Sequence, residues 1–135
     1  MKKQNFTLLE IMIVLMLLVI LAGAVTPAYM GYMKKARVQS AKSAAKLLSD
    51  AVDHYYLELG KLPDSLEALV RNTGNEPKWA GPYLSGKLPK DPWGNPYLLV
   101  APGREGDFDV VSYGADGKSG GDGDAADIYT SDMND

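Results

Sequence analysis

The sequence contains no cysteine and only one histidine, His54, among its 135 residues. The absence of cysteine excludes disulfide bonds, thiol catalysis and zinc sites with thiolate ligands. A single histidine also excludes a metal site with several imidazole ligands.

Basic residues are scarce in the C-terminal part of the chain. From Glu105 onward, one basic residue, Lys118, stands against nine acidic ones. Lysines and arginines gather earlier, around residues 34–46, and a chain with this separation of charge and an acidic end does not suggest nucleic acid as a partner. An acidic end is usually just solvated, but glycines interrupt this one, which makes a cation site an alternative.

The longest apolar run lies near the N-terminus. Residues 11–25 carry no charge, Glu10 precedes them, and two lysines stand close to the start. This arrangement is typical of a membrane anchor, or of a secretory signal cleaved near residues 21–24. A charged acid inside a membrane helix costs about 2.5–3.5 kcal/mol, so Glu10 needs a partner. A cut before Phe6 would create an α-amine able to neutralise Glu10 of the same or a neighbouring copy.

The stretch FTLLEIMIVLMLLVILAGAVTPAYMGY, residues 6–32, resembles the N-terminus of type IV pilin-like proteins. The resemblance implies that prepilin peptidase cuts between Asn5 and Phe6 and methylates the amine of Phe6. It also implies an assembly role for Glu10 and a helix kink at Pro27. The chain departs from the family at Asn5, where a glycine is usual.

Apolar residues continue at three- and four-residue steps beyond this run, which predicts one apolar helical face. Gly60 ends the pattern as a C-cap. We predict one helix from about residue 6 to residue 59, kinked or locally melted around Pro27, which lacks an amide. The predicted core face consists of Ala41, Ala44, Ala45, Leu48, Ala51, Val52, Tyr55, Tyr56 and Leu59.

The rest of the chain combines short apolar segments with turns. Asp64 and Glu67 predict a capping box at the start of a second, short helix. Residues 71–90 have no period and predict a loop long enough to be functional or mobile. After the turn sequence DPWG, residues 97–100 and 108–112 predict a β-hairpin.

The stretch LPKDPWGNPYLLVAPGREGDFDVVSYGADG, residues 88–117, is similar to major pseudopilins of type II secretion systems. The resemblance implies an α+β, pilin-like fold. In that fold a long N-terminal helix packs against a small domain with a short helix, an antiparallel hairpin and a calcium-binding loop. The implied parts are a leader at 1–5, a transmembrane and assembly helix at 6–29, and a globular domain at 30–135, with its β region at 91–113 and its calcium loop at 113–128.

Aspartates alternate with glycines near the C-terminus. Calcium takes six to eight oxygen ligands, and glycine lets backbone carbonyls turn inward. The spacing does not match an EF-hand, so a calcium loop and a flexible acidic tail remain alternatives. The resemblance implies that Ca²⁺, rather than Mg²⁺, is the cofactor. The implied ligands are the Tyr113 carbonyl, Asp116 and Asp127, with Asp124 as a further candidate and Asp122 as a weaker one.

The resemblance implies a structural protein rather than an enzyme: the major subunit of a pseudopilus, a periplasmic filament that helps export folded proteins. The implied partners are other copies of the chain, minor pseudopilins, an inner-membrane assembly platform and prepilin peptidase. Before assembly the chain would span the bacterial inner membrane with its N-terminus in the cytoplasm. The alternatives are a type IV pilin or minor pseudopilin, a membrane-anchored calcium-dependent binding domain, and an anchored hydrolase using Asp107 and Asp109.

Overall fold

The structure, a computed structural model, describes residues 5–133. The chain divides into two compact units, Met1–Ala36 and Arg37–Asp135. Of the predicted leader, residues 1–4 lie outside the described part of the chain, and Asn5 has no regular secondary structure. The first unit exposes its apolar side chains, whereas the second builds a hydrophobic core.

One helix, α1, spans Leu8–Leu59 and confirms the predicted long helix. Gly60 ends it with a φ of 72°, and its amide donates to a carbonyl of the last turn. The predicted local melting is wrong, because α1 is unbroken through Pro27. In this weakened turn the Thr26 hydroxyl donates to the Ala22 carbonyl at 2.8 Å, which supplies a local hydrogen bond.

The apolar side chains of α1 in the first unit face outward. Leu17 is 54% exposed and Val19 is 72% exposed. An 18-residue window of the helix has a mean hydropathy of 2.9, and none of its residues is buried. By length and composition the helix can cross a membrane, a property that signal sequences share.

In the second unit, the predicted apolar face of α1 forms one wall of the core. Leu48 and Val52 are fully buried, and Tyr55 is nearly so. The ring of Tyr55 meets the ring of Tyr83 edge-on, with centroids 5.3 Å apart. The assignment of Tyr56 to the core is wrong, because one step along a helix rotates a side chain by about 100° and leaves Tyr56 half-exposed.

A three-stranded antiparallel sheet forms the other part of this core, in the order β1-β2-β3. The predicted hairpin is confirmed as β1, Leu98–Val100, and β2, Asp109–Ser112. A third strand, β3, Ile128–Tyr129, pairs with β2 and was not predicted, because two residues are too short to show alternation. It makes β2 the central strand, which is buried along its whole length.

The short helix differs from its prediction. Leu66–Leu69 forms a single 3₁₀ turn whose N-cap is Ser65, and no side chain caps it. The predicted capping box is therefore wrong, since Glu67 does not reach back to the turn's start. Its carboxylate instead lies 3.5 Å from the Arg71 guanidinium, on the exposed surface.

The predicted loop at 71–90 has no regular secondary structure, but its middle is anchored. The Trp79 indole donates to the Ala68 carbonyl at 2.8 Å. The Tyr83 amide donates to the Leu69 carbonyl at 2.7 Å, and the Tyr83 hydroxyl donates to the Glu58 carboxylate at 2.6 Å. These aromatic anchors tie the loop to α1 and to the 3₁₀ turn.

Candidate functional site

The start of α1 is a capping box that sequence reasoning missed. The Thr7 hydroxyl accepts from the Glu10 amide at 3.2 Å, and the Glu10 carboxylate accepts from the Thr7 amide at 3.4 Å. These two bonds satisfy two amides that a helix start leaves open. The pattern T-x-x-E ahead of an apolar run is visible in the sequence and could have revealed it. Glu10 thus has a partner within its own chain.

Asn5 and Phe6, the predicted processing residues, lie in non-helical backbone directly ahead of α1. Both are exposed, and the Phe6 side chain is 71% exposed. Glu10 is exposed as well. One of its oxygens accepts the Thr7 amide. The capping bond does not engage the other oxygen, so a cation could still approach it.

The glycine-rich segment folds into two 3₁₀ turns that lie against each other, Gly114–Asp116 and Gly123–Ala125. The approach is close. A Cβ atom added at Gly114 would lie 2.7 Å from the Asp124 carbonyl oxygen, and one added at Gly121 would lie 2.6 Å from the Ala125 carbonyl oxygen. Gly114 and Gly121 also have positive φ, so glycine is required there for conformation and for space.

The structure does not bring all the predicted acids to one point. Among residues 5–133, no three acidic or histidine side chains form a group that could hold a metal ion. Asp116 is exposed and accepts from the Lys118 amide at 3.1 Å. Asp122 is also exposed, whereas Asp124 and Asp127 are half-buried. Because calcium takes six to eight oxygen ligands, an ion held here would need backbone carbonyls in addition to carboxylates.

Asp127 has the one feature of this loop that fits a cation. Its Oδ2 accepts from the Gly120 amide at 2.9 Å, but its Oδ1 is buried without a hydrogen-bond partner. A buried carboxylate oxygen normally has a partner, because leaving it unpaired costs free energy. A cation ligated by this oxygen would remove the deficit, so the residues present fit calcium.

The two acids of the hydrolase alternative do not form a catalytic pair. Asp107 is exposed, whereas Asp109 is 1% exposed. Asp109 accepts hydrogen bonds from the Arg104 amide, the Thr130 hydroxyl, and both the amide and the hydroxyl of Ser131. Burial alone would raise the pKa of Asp109, but these donors outweigh it and lower the pKa below the ordinary value. A carboxylate held ionised by four donors is a structural anchor for the C-terminal segment.

Two sequence families match this chain. Residues 28–131 match the family described as "Type II secretion system (T2SS), protein G". Residues 2–26 match the "Prokaryotic N-terminal methylation motif". Together the two matches cover both the apolar N-terminal run and almost all of the rest.

Curated relatives are similar in sequence to this chain along most of their length. The type II secretion system core protein G of Pseudomonas aeruginosa is 47% identical in an alignment of 133 positions that covers 94% of this chain and 94% of its own. The protein of the same name from Vibrio cholerae is 44% identical over 94% of this chain and 90% of its own. A solved structure, the major pseudopilin from the type 2 secretion system of enterohaemorrhagic Escherichia coli, is 32% identical and matches with a TM-score of 0.66, over 78% of this chain and 92% of that one.

Proposed function

This chain belongs to the type II secretion system protein G family, and from that premise we propose how its copies assemble and what ion they bind. It is a major pseudopilin, the structural subunit of the pseudopilus. The family is structural and is not known for catalysis. Copies would polymerise through the N-terminal helix into a periplasmic filament that helps export folded proteins.

The observation that carries this proposal is the exposed apolar surface of α1 in the first unit. Its large side chains are 37–81% exposed, far more than at core positions. A surface of this size is stable only in lipid or against other apolar helices. The inner membrane would cover it before assembly, and neighbouring copies would cover it in the filament. Each copy would contact the next through different surfaces, with a rotation that does not close a ring, so the assembly would grow as an open filament.

Processing would precede assembly. Prepilin peptidase would cut between the exposed residues Asn5 and Phe6 and methylate the Phe6 amine. The two lysines of the leader would keep the N-terminus in the cytoplasm. After processing, the subunit would join an inner-membrane assembly platform together with minor pseudopilins.

Glu10 would then serve twice. Within its own chain, its Oε2 caps α1 through the Thr7 amide. Its other oxygen would meet the Phe6 amine of a neighbouring copy. Pairing removes the cost of a lone charge in an apolar core, and a copy in the wrong register would lose that pairing. The acid would therefore set the axial register of the filament.

Three variants separate these roles. Glu10→Gln keeps a side-chain oxygen for the capping box but removes the charge, whereas Glu10→Ala removes both. We expect both Glu10 variants to remain in the membrane and to yield almost no filaments, measured by electron microscopy of filaments released by cell lysis. Thr7→Ala, which weakens only the cap, should still assemble. Normal filaments from Glu10→Gln would show that capping alone explains Glu10 and would refute the pairing.

The loop at 113–128 would bind one calcium ion. The carboxylate oxygens would come from Asp127, through its unpaired Oδ1, and from Asp124 and Asp116. The backbone oxygen would come from the Tyr113 carbonyl. Asp122 is the weakest candidate, because it belongs to the spacer between Asp116 and Asp127 and, unlike Asp124 in the same spacer, it is exposed. When bound, the ion would supply a double positive charge that cancels repulsion among these acids.

Thermal unfolding of the full chain in detergent tests this site. Free calcium at a hundred times its Kd should stabilise the fold by about 2.7 kcal/mol, which raises the melting temperature by several degrees. Asp127→Ala and Asp116→Ala should abolish the rise, and Glu105→Ala, an exposed acid outside the loop, should retain it. An unchanged wild-type curve in calcium and in chelator would refute the site. A calcium-dependent rise in a chain that forms no filaments would favour a membrane-anchored binding domain instead.

A further inference from the structure

The turn at 91–95 lies directly under the glycine-rich loop. Asp91 organises this turn: its Oδ1 accepts from the Asn95 amide at 2.8 Å and from the Trp93 amide at 3.1 Å. Its Oδ2 accepts from the Ser112 hydroxyl at 2.7 Å. Asp91 is 4% exposed and Ser112 is fully buried. One buried carboxylate therefore joins the turn to the end of strand β2.

The same hydroxyl reaches the first peptide of the loop. The Gly114 amide donates to Ser112 Oγ at 3.2 Å. That amide and the Tyr113 carbonyl belong to one planar peptide group, so fixing the direction of the N–H also fixes the direction of the carbonyl. The Tyr113 carbonyl is the backbone ligand that the family resemblance implies for calcium. Its orientation is set by Ser112.

The other side of Gly114 is held by Asn95. The Asn95 side-chain amide donates to the Gly114 carbonyl at 2.9 Å. It also lies close to Gly117, where an added Cβ atom would come within 3.1–3.3 Å of the Asn95 amide group. Asn95 thus packs beneath the 3₁₀ turn that carries Asp116. The side chains of Ser112 and Asn95 therefore anchor the two peptide groups of Gly114, and Asp91 accepts hydrogen bonds from the Ser112 hydroxyl and from the Asn95 main-chain amide.

We propose that Asp91, Ser112 and Asn95 are positioning residues of the calcium loop, which orient the Tyr113 carbonyl and the turn of Asp116 before the ion arrives. The inference rests on the proposed calcium site. None of the three touches the ion; they hold its ligands in place, as partners of metal ligands commonly do. An oriented loop loses less conformational freedom on binding, so its affinity is higher.

A matched pair of serines provides the test. Ser112 and Ser131 are both buried, and each donates its hydroxyl to a buried aspartate, Asp91 and Asp109 respectively. Only Ser112 also accepts from the loop. Calcium chloride is titrated calorimetrically into the full chain in detergent, for the wild type, Ser112→Ala, Asn95→Ala and Ser131→Ala. We expect Ser112→Ala and Asn95→Ala to bind calcium about 10- to 100-fold more weakly, and Ser131→Ala to bind within about twofold of the wild type.

A second readout needs no metal. In chelator, amide hydrogen exchange measured by NMR should speed up at Gly114 in Ser112→Ala, since that amide loses its acceptor, and should not change there in Ser131→Ala. A wild-type chain that binds no calcium overturns the calcium site and this inference with it. A wild type that binds, with Ser112→Ala and Asn95→Ala matching Ser131→Ala, overturns the positioning role alone. Normal Gly114 exchange in Ser112→Ala overturns it as well.

Discussion

The two units of this chain differ in whether their apolar side chains are exposed or buried. In the first, apolar residues such as Leu17 face outward along a helix, and a lone acid, Glu10, caps its start. In the second, Leu48 and Val52 are fully buried, and an acid, Asp109, lies inside with four donors around it. The difference teaches that the second unit is completed by its own contacts, whereas the first must be completed by lipid or by other copies.

The largest effect should come from exchanging one leucine in each unit. Leu48→Ala removes a fully buried side chain and should destabilise the fold by about 2–5 kcal/mol, measured by chemical denaturation in detergent. Leu17→Ala, in the first unit, should leave that value within about 0.5 kcal/mol, because its side chain has no core around it. Leu17→Ala should instead lower the yield of filaments. Equal losses of stability would break the contrast between the units.

The next effect concerns the buried acid. Asp109→Asn presents an amide where donors converge, and should cost about 1–3 kcal/mol at pH 7. The lowered pKa of Asp109 gives stability that is present above the ordinary value of 3.8 and is lost as pH falls through the folded value. The difference between wild type and variant should therefore shrink at pH 3. Asp107→Asn, at an exposed neighbour, should show neither change, and a constant Asp109→Asn penalty across pH would contradict the assignment.

The smallest effect should come from the surface of the second unit. The Arg104 Cζ lies 3.3 Å from the centroid of the Tyr129 ring, and the Arg104 Nη1 lies 3.2 Å from the Asp132 Oδ2. Both contacts are exposed, so Arg104→Ala should cost about 1 kcal/mol and less in high salt. Arg71→Ala, whose one ion pair to Glu67 follows the helical i,i+4 spacing, should cost about 0.3–0.5 kcal/mol. A larger loss at Arg71 would show that the ring contact contributes nothing.

Much of the fold was predictable because its cause is local. The three- and four-residue spacing of Ala45, Leu48 and Val52 fixes one face of α1, and Gly60 stops it. The two short runs 97–100 and 108–112 that follow the turn sequence predict the hairpin. Two predictions failed for different reasons: Tyr56 lies one helical step off the buried stripe, and Glu67 pairs with Arg71 rather than capping a helix.

For the candidate site, the sequence shows which residues are available, and the tertiary structure shows which of them lie in contact. The acids and glycines of residues 113–128 are plain in the sequence, but their relation to the turn at 91–95 is not. The bond from Ser112 to Asp91 spans 21 residues, as does the bond from Thr130 to Asp109. No short-range pattern records such a pairing, because a hydroxyl and a carboxylate are compatible with many surroundings until packing brings them together.

By itself, the sequence determined that this chain has an exposed apolar helix, an amphipathic continuation and a cysteine-free, acidic C-terminal loop, since periodicity and composition depend on neighbours along the chain. Only the tertiary structure decided which acids became buried anchors, which tyrosine entered the core and which side chains support the glycine loop. Those outcomes depend on contacts between distant segments, where burial and hydrogen bonding are settled together.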